Sequence, residues 1–510
     1  MHQLLKDFFK DFKFIVIKTL PMAASFTFSI ELLATGVMAI HLKDDESYDA
    51  ESILFQAYTS TIMQLAFSPV PSVGIRISPF FGELQRLESV NAPIEDINNT
   101  QIKLGNIFKA GLIESIIVSI PAGFALFFSD KIIQGLHQSP EVTELASSFL
   151  KVFALSAPPL ALRACIGQIL YAKGDSKPAM YIGGVNFIIG TGLAIWFSRG
   201  GFGIQPQGLP GIAWGYNAES YLTAIGSVIY VSLGKKYADI PLFSKVKYQE
   251  LMQELGSLIA VGGPLALTRF VEVSMILALS IFAGLKGVSE QGTFSYAMQM
   301  NFLTFIFGMA FAQAVSYHVG RLMGSLEFDT ASRAAKNGLI TTFIFVIPPC
   351  LFVNFYPQSL YNILNIKGEQ EKLVPKLLPI ILFGAVAQTG RYGVNQILRV
   401  LRDNKGSTMT SIVGMSTGVA AAAILGFETD AALYGIASGL LIGEGISFIG
   451  LLWRFINRIK PNAISAVQAN PDSAEPKTWG SYFCSFFKCR SYTEEQAPLL
   501  PAPSLGSINA

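Results

Sequence analysis

The chain repeats itself: it reads Phe108-Lys109-Ala110-Gly111-Leu112 at one place and Ala335-Lys336-Asn337-Gly338-Leu339 about 227 residues later. Further matches keep nearly the same spacing: Ile120-Pro121 with Ile347-Pro348, and Arg163 before Gln168-Ile169-Leu170 with Arg391 before Gln396-Ile397-Leu398. All of these stretches lie in or beside runs that are apolar enough for a lipid bilayer. One block of membrane helices is therefore written twice, and this duplication decides the fold.

Composition points to the same environment. Of the 510 residues, 51% are hydrophobic and only 14% are charged, against about 25% charged in an average soluble protein. The net charge of +2 gives no reason to expect a nucleic-acid partner. The sequence contains no glycine-rich phosphate loop, no histidines at metal-ligand spacing and no justified Ser/His/Asp arrangement. We therefore expect an integral membrane protein that is not an enzyme and has no cofactor or metal.

Twelve apolar runs have about the 20-residue length that spans a bilayer as a helix. Their soft boundaries are 14–40, 53–78, 104–129, 146–172, 178–198, 209–233, 257–285, 291–318, 335–356, 376–401, 408–426 and 431–456. The prediction is an all-α integral membrane protein with twelve transmembrane helices in two duplicated six-helix lobes. A duplicated block of this kind is typical of secondary transporters, whose two parts rock about a central site; a duplicated scaffold without transport is the alternative.

Lysine and arginine concentrate in the even-numbered gaps between the runs and at both termini. The positive-inside rule then puts both termini in the cytoplasm, and we expect a multi-pass plasma-membrane protein, in the inner membrane if the source is bacterial. The predicted organisation is a cytoplasmic N-terminus at 1–13, a first half at 14–233, a cytoplasmic linker at 234–256, a second half at 257–460 and a flexible cytoplasmic tail at 461–510. Cys484 and Cys489 lie in that tail, and whether they are acylated or unmodified stays open.

A few ionisable side chains fall inside the runs, where each is costly and usually faces a cavity or a partner. They are Glu31, Glu114, Glu219, Glu272, Glu444, Arg163, Arg269 and Arg391. Glu272 lies near the middle of the seventh run, eight residues after Pro264, which can bend a helix. We expect Glu272 to bind a proton, Na⁺ or an organic cation; the alternative is a static ion pair with Arg269, one turn earlier.

Arg163 and Arg391 occupy equivalent places in the two halves, and a buried arginine keeps its proton. Structural ion pairs with Glu219 and Glu444 are the favoured interpretation. The second interpretation is that these arginines hold an anionic or zwitterionic substrate. Amide and hydroxyl side chains could line the same cavity or join helices to each other: Gln64, Tyr296, Gln299 and Asn301.

Several stretches together resemble the multidrug and toxic compound extrusion (MATE) transporters, over about 14–460. The seventh and eighth helices of that family are similar to Pro264-Leu-Ala-Leu-Thr-Arg-Phe-Val-Glu272 and to Ala314-Val-Ser-Tyr-His-Val-Gly-Arg-Leu-Met-Gly324. The first half matches through Tyr171-Ala-Lys-Gly-Asp-Ser-Lys-Pro178 with Asn186, and through Gly208-Leu-Pro-Gly-Ile-Ala213. The resemblance implies a V-shaped central cavity between the lobes and drug export driven by Na⁺ or H⁺ entry.

The chain also departs from the family pattern. Gly36 stands where many bacterial members have an aspartate, and Glu31 is better seen as the repeat partner of Glu272. The fifth-helix aspartate of one proton-coupled branch is replaced by Gly190, and the tenth-helix carboxylate of the sodium-coupled branch by Gln388. Coupling would therefore depend on Glu272, with Glu31 as a possible second acid.

The sequence thus predicts a monomeric antiporter, surrounded by membrane lipids, that exports amphipathic organic cations in exchange for Na⁺ or H⁺. The cation-binding and substrate-binding candidates are Glu272, Glu31, Gln388, Asn186, Tyr296, Gln299 and Asn301; the charged cavity or ion-pair candidates are Arg269, Arg163, Arg391, Glu219 and Glu444. A lipid or lipid-linked glycan flippase of the same superfamily is the first alternative, and a membrane receptor or scaffold is the second.

Overall fold

Inside a bilayer every backbone N–H and C=O must find a partner within the protein, so long apolar runs form helices. The computed structural model describes residues 9, 12–13, 16–17, 19–22, 24–25, 62–135, 140–201, 203–364, 366, 370–429 and 431–469. These residues are almost all helical, and the β pairing among them is one isolated bridge between Gly201 and Ile204. All of them belong to one compact unit that extends from Met1 to Glu475.

The described helices of the first half follow residues 62–67, which are also helical. They are α1 (Pro71–Ser89), α2 (Ile94–Phe127), α3 (Ser129–Gly135), α4 (Pro140–Phe153), α5 (Ala157–Lys173), α6 (Ser176–Arg199) and α7 (Leu209–Leu233), with a 3₁₀ turn at Ala154–Ser156 between α4 and α5. Beyond a second 3₁₀ turn at Lys235–Tyr237 the chain enters the second half.

The second half has the same order of long helices. They are α8 (Tyr248–Lys286), α9 (Val288–Gly324), α10 (Phe328–Phe355), α11 (Gln358–Leu364), α12 (Gln370–Val400), α13 (Asn404–Phe427) and α14 (Ala432–Arg458), followed by α15 (Pro461–Ala469). As α6 packs along α7 in the first half, so α13 packs along α14 in the second. The repeat seen in the sequence is therefore a repeat of helix packing.

Nine helices within the described ranges are long and apolar enough to cross a membrane. They correspond to the third, fourth, fifth and seventh to twelfth predicted runs, and the fourth run includes the 3₁₀ turn at Ala154–Ser156. The sixth predicted run is the 25-residue helix α7. The first run and the beginning of the second lie largely outside the described residues, and the lobe boundaries stay a prediction.

Helices of the two halves also contact each other. In particular, α1 packs against α9, and α2 packs against α8. The most buried side chains of the second half include Arg391 and Arg399, two cations that an apolar core does not accept without partners. The partners of these cations define the site described next.

Candidate functional site

Glu272 is the centre of a buried polar network in the second half. Glu272 lies on α8 and is 2% exposed. Carboxylate oxygen Oε1 lies 2.8 Å from Nη2 of Arg391 and accepts a hydrogen bond of 2.8 Å from Nε2 of Gln388. The other oxygen, Oε2, lies 2.8 Å from Nη1 of Arg269. Three donors on two helices therefore surround one carboxylate.

Arg391 connects this carboxylate to a second one. Its Nε donates to Oε2 of Glu444 on α14, and its Nη2 lies 3.5 Å from Oε1 of the same group. Arg391 and Glu444 are 1% and 0% exposed. Together with Arg269 and Glu272 they form a network of two carboxylates and two guanidinium groups with no net charge. A further cation can therefore reach Glu272 only by displacing a guanidinium group.

Gln388 and Asn301 extend the network by hydrogen bonds. Asn301 on α9 donates from Nδ2 to Oε1 of Gln388 at 3.3 Å, and Gln388 in turn donates to Glu272. The sequence analysis named all three as candidates, and the structure brings them together. The amide of Gln388 acts as a donor to the neighbouring acid.

The positions of three other candidates are as follows. Tyr296 packs in the apolar core of the second half. Gln299 is half-buried on α9, and Asn186 is half-buried on α6 in the other half. Glu31 lies outside the described residues, so its relation to Glu272 stays a prediction.

The proline of α8 is tied to the helices beside it. The carbonyl oxygen of Pro264 accepts hydrogen bonds from Thr268 at 2.8 Å, from Thr408 at 3.3 Å and from Nη2 of Arg399 at 3.4 Å. Arg399 lies near the end of the tenth predicted run, and it is 1% exposed inside α12. A basic residue at the end of an apolar run gives no sign of whether it turns towards water or towards the core.

The first half contains a simpler charge pair at the equivalent position. Nη1 of Arg163 on α5 lies 3.0 and 3.3 Å from the two carboxylate oxygens of Glu219 on α7. Thr223 donates to Oε1 of Glu219 at 3.0 Å. The pair borders a cavity of about 50 Å³ whose wall also includes Ser25 and Tyr171, and the Arg163 side chain is 20% exposed. This pair therefore lines a cavity.

Hydrogen bonds also join the two halves directly. Arg269 of α8 donates from Nη2 to Oε1 of Gln64, which precedes α1. Gln313 of α9 donates to Oε1 of Gln168 of α5 at 3.2 Å. Arg321 donates from Nη1 to the carbonyl oxygen of Lys173 at 3.0 Å. Arg269 therefore belongs at once to the Glu272 network and to the contact between the halves.

A metal centre has no support in the part of the chain that the structure covers, since no cluster of three or more His, Cys, Asp or Glu there could hold an ion. The arrangement consists instead of carboxylates, guanidinium groups and amides that share hydrogen bonds and ion pairs. Carboxylates bind and release cations or protons.

Comparison with known proteins supplies the family. The family model described as MatE matches residues 99–196 and 264–424, which together are more than half of the chain. The "Probable multidrug resistance protein NorM" of Rhodopseudomonas palustris is 23% identical over 368 residues, 71% of this chain and 77% of that protein. The "Multidrug resistance protein NorM" of Vibrio cholerae serotype O1 is 23% identical over 278 residues, 54% of this chain and 60% of that protein.

Solved structures agree on the fold. The eukaryotic MATE transporter AtDTX14 superposes with a TM-score of 0.76 at 16% identity, covering 90% of this chain and 100% of that one. An outward-facing multidrug resistance MATE family transporter gives 0.70 at 18% identity, covering 89% and 97%. These likenesses confirm the predicted fold class, an all-α membrane protein of two duplicated six-helix lobes. The family match and the shared fold lead to one conclusion: this chain belongs to the MATE family of transporters.

Proposed function

We propose that the chain is a multidrug efflux antiporter that exports small amphipathic organic cations in exchange for Na⁺ or H⁺. The names of the relatives, multidrug resistance proteins, support the class of substrate. The observation that carries the proposal is the position of Glu272: a buried carboxylate in the middle of α8, held by guanidinium groups that a cation could replace. We further propose a monomer in the plasma membrane, and the positive-inside rule supports a cytoplasmic location of both termini.

Of the two guanidinium groups, Arg269 is the one that gives way. Arg391 is also held by Glu444 and is 1% exposed, whereas the Arg269 side chain is 19% exposed and also reaches Gln64 of the first half. A movement between the halves that draws Arg269 towards Gln64 leaves one oxygen of Glu272 without its ion-pair partner. That uncompensated charge then attracts a substrate cation or the coupling ion. The same movement thus couples the opening of the halves to binding.

Alternating access also needs a contact that opens. At the end of the helices near Lys173, α9 and α1 touch backbone to backbone: a Cβ atom on Gly324 would lie 1.7 Å from the carbonyl oxygen of Pro79. The hydrogen bond from Arg321 to Lys173 closes the same end. We infer that this end is shut in the state described and that export requires it to separate.

The experiment uses purified full-length protein in liposomes. A fluorescent lipophilic cation and a matched anion with the same ring system are offered under an imposed Na⁺ gradient, an imposed H⁺ gradient or neither. We expect accumulation of the cation under one gradient and its loss when that gradient is collapsed. Accumulation that does not depend on either gradient would contradict ion coupling. Scrambling of labelled lipids without cation transport would favour a flippase instead.

A further inference from the structure

Glu114 is a buried carboxyl group that the proposed export mechanism leaves unused. It lies in the middle of α2 and is 5% exposed. Ser72 of α1 donates from Oγ to its two oxygens, at 3.0 Å to Oε2 and 3.4 Å to Oε1. Among the described residues, the hydroxyl group of Ser72 is the hydrogen-bond partner of the Glu114 carboxyl group. No basic side chain among these residues lies within ion-pair distance of that carboxyl group.

Charged groups on the helices that pack against α2 have partners of their own. Arg76 of α1 lies 3.6 Å from Glu254 of α8, and Lys103 of α2 itself pairs with the same carboxylate. Arg269 of α8 pairs with Glu272 at 2.8 Å. Glu83 and Arg86, also on α1, are about 16 Å or more beyond Ser72 along the helix at 1.5 Å per residue.

The remaining neighbours do not supply a counter-charge either. On α5, Arg163 pairs with Glu219 at 3.0 Å, and Cys165 is a buried thiol whose Sγ lies 4.0 Å from the carbonyl oxygen of Phe108. On α4, Lys151 pairs with Asp130 at 3.0 Å, and on α2, Lys109 donates to Ser244 at 3.0 Å. Glu114 therefore stands out from the ion-paired acids around it.

An ionised carboxylate without a counter-charge is expensive in this setting, by several kcal/mol. A protonated carboxyl group avoids that cost and still hydrogen-bonds to a hydroxyl. The carboxyl group of Glu114 consequently holds a proton when it is packed as described.

The position of Glu114 links that proton to the movement of the halves. A Cβ atom on Gly262 of α8 would lie 2.8 Å from Oε1 of Glu114 and 3.0 Å from Cβ of Pro69, so the missing side chain lets the backbone of α8 press on the carboxyl group. Gly262 precedes the proline of α8 by two residues. Withdrawal of α8 would expose the carboxyl group to water. In the sequence repeat, Thr341 stands at the place of Glu114, so this acid belongs to the first half alone.

We propose that Glu114 is a proton-binding site at the contact between the halves, loaded while α8 packs on α1 and α2 and unloaded when α8 withdraws. The coupling ion is then H⁺. This inference rests on the proposed ion-coupled export and names its ion and a site for it.

Infrared difference spectra of the full-length protein in lipid nanodiscs test the proton directly. Wild type minus Glu114→Gln, in H₂O and in D₂O, should show the carbonyl stretch of a protonated acid that shifts with deuterium. The matched control is Glu254→Gln, which removes a carboxyl group that is also buried but ion-paired, and it should remove a carboxylate band only. A carboxylate band in the Glu114→Gln difference would overturn the proposal.

A second variant covers the case in which Glu114→Gln does not fold. Ser72→Ala keeps the acid and removes its hydrogen-bond donor, so the acid band should remain and move to higher frequency. A spectrum that Ser72→Ala leaves unchanged would contradict the assignment of the proton to Glu114.

Transport in liposomes tests the coupling. An H⁺ gradient should drive substrate accumulation by the wild type, and Glu114→Gln should lose at least about tenfold of that accumulation while keeping downhill exchange. Equal accumulation by the variant, or accumulation driven by Na⁺ alone, would overturn H⁺ coupling through Glu114 and leave the export function standing. If neither gradient drives the wild type, the proposed function fails and the coupling role with it. The infrared band would still decide whether Glu114 is a proton site.

Discussion

The two halves of the molecule contain the same charge pair in different surroundings. In the first half, Arg163 and Glu219 meet across α5 and α7 beside a cavity. In the second half, Arg391 and Glu444 meet across the equivalent helices α12 and α14, but Arg391 also pairs with Glu272 of α8. The side chain of Arg163 is 20% exposed and that of Arg391 is 1% exposed.

Among the described residues, this difference separates the charge pair that both halves share from the carboxylate of Glu272, which joins that pair in the second half. An arginine on α5 pairs with a glutamate on α7 in the first half, and an arginine on α12 pairs with a glutamate on α14 in the second half. In both copies the pair holds the two helices together. Glu272 on α8 accepts a hydrogen bond from the amide of Gln388 and pairs with the guanidinium groups of Arg269 and Arg391. We infer that the pair is structural in each half and that Glu272 carries the exchange of cations.

The largest effect should come from breaking the more buried pair. Arg391→Ala leaves two buried carboxylates, Glu272 and Glu444, without that partner and should reduce the free energy of unfolding by about 3 to 5 kcal/mol. Arg163→Ala leaves one carboxylate, which keeps a donor in Thr223 and is next to a cavity that admits water. Its loss should be smaller in thermal unfolding of the purified variants. Equal losses would contradict the contrast between the halves.

A double-mutant cycle sharpens the same contrast. Glu444→Ala combined with Arg391→Ala should recover part of the loss, with an interaction energy of about 0.5 to 3 kcal/mol. Recovery is incomplete because Glu272 keeps Arg269 and Gln388 but has still lost Arg391. Additive losses in chemical or thermal unfolding would show that Arg391 and Glu444 do not stabilise each other. A stable Arg391→Ala that binds anions poorly would instead indicate a substrate role.

A second equivalent pair of acids precedes α6 and α13. Asp403 binds Arg454 through both oxygens, at 2.7 and 2.9 Å, whereas Asp175 accepts from Tyr230 at 2.7 Å and from Lys236 at 2.8 Å. Asp403→Asn should destabilise by about 1.5 to 3 kcal/mol because one oxygen of the two-pronged contact is lost. Asp175→Asn should cost less, because an amide oxygen still accepts from a tyrosine. The reverse order in thermal unfolding would contradict this comparison.

The smallest expected effect is a pH dependence at Asp175, which lies between α5 and α6. Burial raises its pKa, but hydrogen bonds from Lys236 and Tyr230 outweigh this and hold the pKa below its usual value. A lowered folded pKa gives stability that is complete above the unfolded pKa of about 3.9 and is lost as the pH falls through the folded value. The stabilities of the wild type and of Asp175→Asn should therefore converge below about pH 4. A difference in stability between the two proteins that does not change with pH would show that the charge of Asp175 does not contribute to stability.

Much of the fold followed from the sequence, because apolar length and duplication report helices and their order directly. The partners of the charged side chains were harder to predict. The pairs of Arg163 with Glu219 and of Arg391 with Glu444 were proposed from their equivalent positions. That Arg391 also reaches Glu272 depends on how α8 packs against α12, and no spacing within a single helix contains that information.

Two buried groups show where sequence reasoning stops. Arg399 is a basic residue near the end of an apolar run, and it lies in the core with Pro264 and Thr268 as acceptors. Glu114 was recognised as an acid inside an apolar run, but its isolation from basic side chains is visible only when the helices around it are placed. Both are consequences of which face of a helix meets its neighbours.

The central claim is that Glu272, and not the shared ion pair, carries cation exchange. The most direct measurement compares gradient-driven export of a lipophilic cation by Glu272→Gln with export by Glu219→Gln, a carboxylate of the first half, at matched amounts of folded protein in liposomes. We predict that Glu272→Gln loses at least about tenfold of coupled transport, equivalent to about 1.4 kcal/mol, while Glu219→Gln keeps most of it. Wild-type transport by Glu272→Gln, or an equal loss in both variants, would contradict the account.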